Sequence, residues 1–100
     1  LAAHSGGNVG LAASLPGLRT PDRIVMLDNF YFGEALSRAI QAKVQAGAVC
    51  TGFYTAHNKE RWRERFRPFV HCPVDYHEDY GHNGGVNRCL GSYLRETTCP

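Results

Sequence analysis

The chain has 100 residues, of which 43% are hydrophobic and 20% are charged, and its formal net charge is +2. This composition is typical of a single globular domain and excludes a chain that is disordered throughout. No apolar run approaches the roughly 20 residues that a membrane-spanning helix needs. So small a net charge points to no particular class of partner.

The first 20 residues are rich in Gly, Ala and Ser and show no sustained hydrophobic period. We therefore expect a flexible or irregular N-terminal arm over residues 1–20 and a single domain over residues 21–100. A short apolar run rich in β-branched residues, Arg23–Leu27, follows a Pro-Asp turn and predicts a buried strand.

The clearest helical pattern covers about Tyr31 to Ala46. Apolar side chains recur every four residues along it and form one stripe, made of Phe32, Leu36, Ile40 and Val44. Asp28 or Asn29 is expected to cap the start of this helix. Gly47 is suited to the left-handed residue that commonly ends a helix.

A second strand is expected at residues 48–55, so the chain opens with the order strand, helix, strand. This order predicts an α+β domain or a βαβ unit. The next segment, Asn58 to Arg67, fits either a short helix or a strand. We favour the helix, because a strand would place Glu64 on an apolar face beside Trp62 and Phe66.

From Val70 onward, the pattern is typical of short strands and turns. Gly81–Gly85 is a turn by composition, and Leu90–Arg95 is expected to form the last strand. The predicted fold class is therefore α+β: a small single domain with a strand–helix–strand opening followed by short strands, stapled by two disulfides.

Four cysteines lie in the second half of the chain, Cys50, Cys72, Cys89 and Cys99, and no two form a C-x-x-C pair. Widely spaced cysteines in even number predict two disulfides, with three pairings open. Cys50 is expected to bond one of the later three and to join the helical half to the C-terminal half. Because disulfides persist in oxidising compartments and the chain starts at Leu1 rather than Met, we expect a secreted, extracellular protein whose signal has been removed.

A dense run of basic and aromatic residues, here called the basic cluster, is the strongest candidate for a binding surface. Its members are Lys59, Arg61, Trp62, Arg63, Arg65 and Arg67. Guanidinium groups bind oxyanions in a fork geometry and Trp stacks on bases, so nucleic acid, an anionic surface or an acidic protein would suit the cluster. The competing interpretation is a solvated helix face whose arginines pair with Glu60 and Glu64.

A zinc site can be drawn from two histidines, His77 and His82, between Cys72 and Cys89. Zinc prefers four nitrogen or sulfur ligands in a closed tetrahedron, but the usual closely paired cysteines are missing here. Surface histidines on a loop are the alternative interpretation, and we assign no metal ligand.

An acid–base set for a small ribonuclease is a further hypothesis, with a carboxylate or histidine as base, another histidine as acid and Arg63 or Arg65 as a phosphate clamp. The residues of this set are His57, His71, Asp75, His77, Glu78, Asp79 and His82. We recognise no Ser/His/Asp elbow, phosphate loop, dinucleotide fingerprint or HExxH helix. The sequence therefore assigns no catalytic residue and no cofactor.

In length, cysteine content and the predicted strand–helix–strand opening, the chain resembles the small secreted effectors and killer-type toxins of fungi. The resemblance implies a virulence or competition protein that binds a host or competitor protein without catalysis, with delivery into host cells left open. Two alternatives also stay open: a secreted ribonuclease-like or nucleic-acid-binding protein that uses Arg61–Arg67, and a small zinc-binding domain. The oligomeric state is not predicted.

Overall fold

Four parallel strands form one sheet in sequential order. They are β1 (Ala2–His4), β2 (Arg23–Leu27), β3 (Val49–Tyr54) and β4 (Val74–Tyr76). This computed structural model describes residues 1–99. Parallel neighbours need crossover connections, so each strand is followed by helical structure before the next begins.

The described residues contain four α-helices. They are α1 (Gly7–Ser14), α2 (Glu34–Gln45), α3 (Lys59–Arg61, which continues as a π-helical turn over Trp62–Phe66) and α4 (Gly84–Arg95). The first three are crossovers between consecutive strands, and crossovers of one hand place them on the same face of the sheet. Helix α4 covers the opposite face. None of these helices is long and apolar enough to cross a membrane.

Strand β2 lies at the centre of both packing layers. Ile24 and Met26 join the larger apolar cluster with α1 and α2, whereas Val25 and Leu27 join the smaller cluster with α4. Because both faces of β2 are covered, its sequence is continuously apolar rather than alternating.

The second helix follows the predicted stripe. Ile40 is fully buried, and Leu36 and Val44 pack beside it with partial exposure. Gly47 has a φ of 111° just beyond the helix, as expected for its end. The expected cap is wrong, because Gly33 rather than Asp28 or Asn29 is the N-cap residue; both side chains are engaged elsewhere, as described below.

Two disulfides are present, as predicted. Cys50–Cys72 joins the start of β3 to the segment that leads into β4, and Cys89–Cys99 joins α4 to the end of the chain. Cys50 thus bonds one of the later cysteines, and the described chain contains no free cysteine. The predicted α+β class, with helices, a sheet and two disulfides, is confirmed.

Two parts of the chain differ from the expectation. Residues 1–20 contain β1 and α1 instead of an irregular arm, since β1 pairs with β2, α1 buries Leu11, and the turn after α1 buries Leu15. The strand expected at Leu90–Arg95 is the second half of α4. Its apolar residues have helical spacing and are buried or half-buried: Val86, Cys89, Leu90 and Tyr93. The pattern is recognisable only when the disulfide-bonded Cys89 is counted as an apolar residue. The favoured helix after Asn58 is observed.

Candidate active site

The carboxyl-terminal edge of the sheet brings together residues from three loops. Ser5 follows β1, Asp28 follows β2 by one position and Thr55 follows β3. Because these strands are parallel neighbours whose ends lie within one residue of register, the three residues leave the sheet close together. Open parallel sheets bind their ligands at this edge.

Backbone strain is concentrated at two of these residues. Ser5 and Asp28 have φ angles of 51° and 49°, and within residues 1–99 no other non-glycine residue has a positive φ. A residue held in so sparsely populated a conformation costs about 1–3 kcal/mol, and such residues cluster at functional sites. The two positions therefore mark this edge as the candidate active site.

Ser5 lies at a sharp turn between β1 and α1, with Gly6 as the N-cap residue of the helix. Ala3 and Gly7, two positions before and after Ser5, face each other. A Cβ added to Gly7 would lie 3.6 Å from the Cβ of Ala3. The start of the helix therefore packs closely against the end of the strand. In the amide orientation that satisfies its neighbours, the buried Asn29 donates to the Ser5 carbonyl at 2.8 Å and holds the turn.

Asp28 is completely buried, and its carboxylate accepts three hydrogen bonds. Its Oδ1 accepts from the Thr55 backbone N–H at 2.8 Å, and its Oδ2 accepts from the Thr55 hydroxyl at 2.8 Å. The third donor is Nδ1 of His82, at 2.7 Å from Oδ2. Asn58 also holds the main chain, since its amide nitrogen donates to the Asp28 carbonyl at 2.6 Å. These contacts fix the carboxylate in one orientation.

His82 reaches this site from the loop that precedes α4. A carboxylate can only accept, so Nδ1 carries the proton and Nε2 of the neutral ring is left as a base. The ring lies 4.8 Å from that of His4, the residue before Ser5. Nε2 of His4 also donates to the His82 carbonyl at 2.9 Å. His82 is therefore held against the ends of both β1 and β2.

Aromatic and basic side chains form a rim beside His82. The rings of Tyr31 and His57 lie 6.0 Å and 4.6 Å from its ring, centroid to centroid, and the Tyr31 hydroxyl is hydrogen-bonded to Nε2 of His57. The guanidinium carbon of Arg61 lies 4.7 Å from the centre of the Tyr31 ring. One guanidinium N–H donates to the His57 carbonyl at 3.2 Å.

The basic cluster is distributed over different surroundings. Arg61 alone joins the rim just described. Trp62 stacks on Tyr54 at 4.2 Å between ring centroids, and Arg67 lies over the Trp62 ring at 5.6 Å. The other members are Lys59, which lies 5.5 Å from the centre of the Tyr76 ring, Arg63, which pairs with Glu60, and the exposed Arg65.

Two of the four histidines that the sequence singled out, His71 and His77, lie outside this site. His71 is exposed, and His77 stacks on Tyr80 with 4.2 Å between ring centroids. Cys72 and Cys89 belong to different disulfides, so the ligand set drawn for zinc is not assembled. Among residues 1–99 no group of three or more potential ligands is placed to hold a metal ion.

Asp75 also has a different environment from the one that an acid–base set would need. It lies on β4 and accepts a hydrogen bond from the Tyr93 hydroxyl of α4 at 2.9 Å. Burial, together with this hydrogen bond, raises the pKa of Tyr93 well above its ordinary value. Asp75 therefore joins α4 to the sheet.

Sequence reasoning missed Ser5 and Asp28, and it named His82 only within larger sets. The available signal was Ala3-His-Ser-Gly-Gly7, which matches the G-x-S-x-G nucleophile elbow except for Ala at the first position. The structure accommodates Ala at this position, because its Cβ would lie at an ordinary contact distance of 3.6 Å even from a Cβ added to Gly7. No family model, curated protein or solved structure matches this chain.

Proposed function

We propose that this protein carries the catalytic machinery of a serine hydrolase, with Ser5 as nucleophile, His82 as general base and Asp28 as the residue that orients His82. One observation carries the proposal: His82 is hydrogen-bonded through Nδ1 to a buried carboxylate at the sheet edge where a positive-φ serine joins strand to helix. The order along the chain, Ser, Asp, His, is one of those in which this triad occurs.

The chemistry that this arrangement supports is acyl transfer. The Ser5 oxygen attacks the carbonyl carbon of an ester, and its proton passes to Nε2 of His82. The tetrahedral intermediate then expels the alcohol, which takes that proton, and leaves an acyl group on Ser5. Water repeats the sequence, with His82 as base, and releases the acid and the free serine.

The developing oxyanion needs hydrogen-bond donors at the same place. The backbone N–H of the residue after the nucleophile usually supplies one, and here that residue is Gly6, at the N-terminal end of α1. The first N–H groups of a helix lack intrahelical partners, and the helix dipole favours negative charge there. Gly6 thus suits the role of the first donor.

The decisive experiment combines a covalent probe with ester hydrolysis. A fluorophosphonate is expected to label the Ser5 oxygen by displacing fluoride, with the proton taken up by His82. Ser5→Ala should abolish labelling and lower 4-nitrophenyl acetate hydrolysis by roughly 10³-fold or more. Ser14→Ala, at the exposed far end of α1, is the matched control and should change neither. Labelling of another residue, or hydrolysis that survives Ser5→Ala, would overturn the proposal.

A secreted effector or toxin that binds a macromolecular target without catalysis stays a prediction. Disulfides and the absence of a membrane-spanning helix from residues 1–99 are compatible with an extracellular protein. The specific support for binding is the exposed Arg65 and the aromatic–cation stack of Arg67, Trp62 and Tyr54. If a toxic or target-binding effect exists, full retention of it by Ser5→Ala would favour this alternative over hydrolysis.

A further inference from the structure

We propose that Arg61 forms an anion subsite at the rim of the candidate active site, so that the preferred substrates are esters bearing an oxyanion group, a carboxylate or a phosphate, beside the scissile bond. This inference rests on the proposed function and names its substrate class. Arg61 is accordingly a specificity-determining residue, not a catalytic one.

The position of Arg61 supports an anion subsite. The Arg61 guanidinium lies 4.7 Å from the centre of the Tyr31 ring, and that ring meets His82 edge-on at 6.0 Å between centroids. A second route leads to the same place, since Arg61 donates to the His57 carbonyl and the His57 ring lies 4.6 Å from that of His82. Contacts through Tyr31 and through His57 therefore both connect the guanidinium to the proposed general base.

The charge of Arg61 also supports an anion subsite. Among the described residues no carboxylate lies within 4.0 Å of Arg61, whereas Arg63 pairs with Glu60 and Arg38 pairs with Glu34. The carboxylate of the proposed triad, Asp28, is buried and already accepts three hydrogen bonds. The positive charge at the rim thus has no neutralising partner within residues 1–99.

The Arg61 side chain is also held in place before any anion binds. A guanidinium has five N–H donors, and the His57 carbonyl occupies one of those of Arg61. The guanidinium carbon lies over the Tyr31 ring, and the Tyr31 hydroxyl is in turn hydrogen-bonded to Nε2 of His57. The side chain is therefore held against Tyr31 and His57, the two residues that adjoin His82, with donors left for a planar oxyanion, which a fork of N–H groups recognises well.

The test compares a neutral ester with an anionic one in the full chain. The two substrates are 4-nitrophenyl acetate and the 4-nitrophenyl monoester of succinate, which share a leaving group and differ in a carboxymethyl group that carries the negative charge. Arg61→Gln and Arg61→Ala should raise KM for the succinate ester about 10-fold more than KM for the acetate ester, with little difference in kcat. Arg38→Ala, which removes an exposed ion-paired arginine on α2, is the matched control and should leave the ratio unchanged.

Inhibition and salt dependence give a second readout. Succinate and inorganic phosphate should inhibit acetate ester hydrolysis by the parent chain, and the more potent anion identifies the preferred oxyanion. Added salt should weaken this inhibition, because screening reduces attraction between exposed charges. Absence of inhibition by both anions, or an unchanged KM ratio in both Arg61 variants, would overturn the subsite. Hydrolysis that depends on Ser5 would still stand in that case, so the failures of the two proposals are distinguishable.

Discussion

Two consecutive strand–helix units of the same sheet differ in what they contribute. The β2–α2 unit has a continuous apolar strand and a helix with one strong apolar stripe, and its buried residues serve packing. The β1–α1 unit has a three-residue strand and a helix of small residues that buries only Leu11, and it positions Ser5 at the strained turn. The β2–α2 unit, with its strong hydrophobic periodicity, thus contributes packing. The β1–α1 unit, made largely of small residues, places the candidate nucleophile.

The largest expected effect concerns the buried carboxylate of Asp28, between β2 and α2. Asp28→Asn would place an amide N–H against Nδ1 of His82 and favour the wrong tautomer of the imidazole. We expect ester hydrolysis to fall roughly 10³–10⁴-fold, as measured by kcat for 4-nitrophenyl acetate. Asp22→Asn, at an exposed position before β2, is the control. An Asp28→Asn chain that is folded by circular dichroism and fully active would remove Asp28 from the site.

A substitution at the centre of the α2 stripe is expected to lower stability and to leave catalysis unchanged. Ile40→Ala deletes a fully buried side chain and should lower the free energy of unfolding by about 2–5 kcal/mol. Urea titration measures this loss, and the exposed Ala42→Ser provides a baseline for the same helix. The variant should keep its kcat per folded molecule. A loss of stability below half a kcal/mol would show that the stripe contributes little to the free energy of unfolding and that packing is not the main contribution of the β2–α2 unit.

The smallest effect concerns pH and the other face of the sheet. Burial, then the Asp75 hydrogen bond, raise the pKa of Tyr93 above its ordinary value of about 10. Below that pH both the folded and unfolded states keep the proton, whereas above it only the unfolded chain loses it. Stability should therefore fall as pH rises above about 10.

Tyr93→Phe tests this dependence, because it removes the phenol while keeping the ring stacked near Phe53. We expect a shallower loss of stability between about pH 10 and 11.5 in the variant than in the parent, measured by urea unfolding at each pH. Tyr31→Phe, which changes a half-buried tyrosine of the rim, is the control. Parallel pH profiles for Tyr93→Phe and the parent would show that Tyr93 does not govern alkaline stability.

Sequence by itself determined the features that depend on local pattern. The strand at Arg23–Leu27, the helix with Ile40 at its centre and the presence of two disulfides all follow from short-range periodicity, turn residues and cysteine number. The helical state after Asn58 also followed, because Glu64 fits poorly on an apolar strand face.

Only the tertiary structure decided the rest. Whether the sheet is parallel, and which residues meet at its carboxyl-terminal edge, depends on contacts between distant parts of the chain. His82 lies 54 positions from Asp28 in sequence, yet the two side chains share a hydrogen bond. Ser5 carries a weak signal for a related reason: small residues, Ala3 and Gly7, face each other across its turn, and small residues without a hydrophobic period also describe an irregular arm. The site is thus defined by where three strands end, a property of strand order that no local pattern contains.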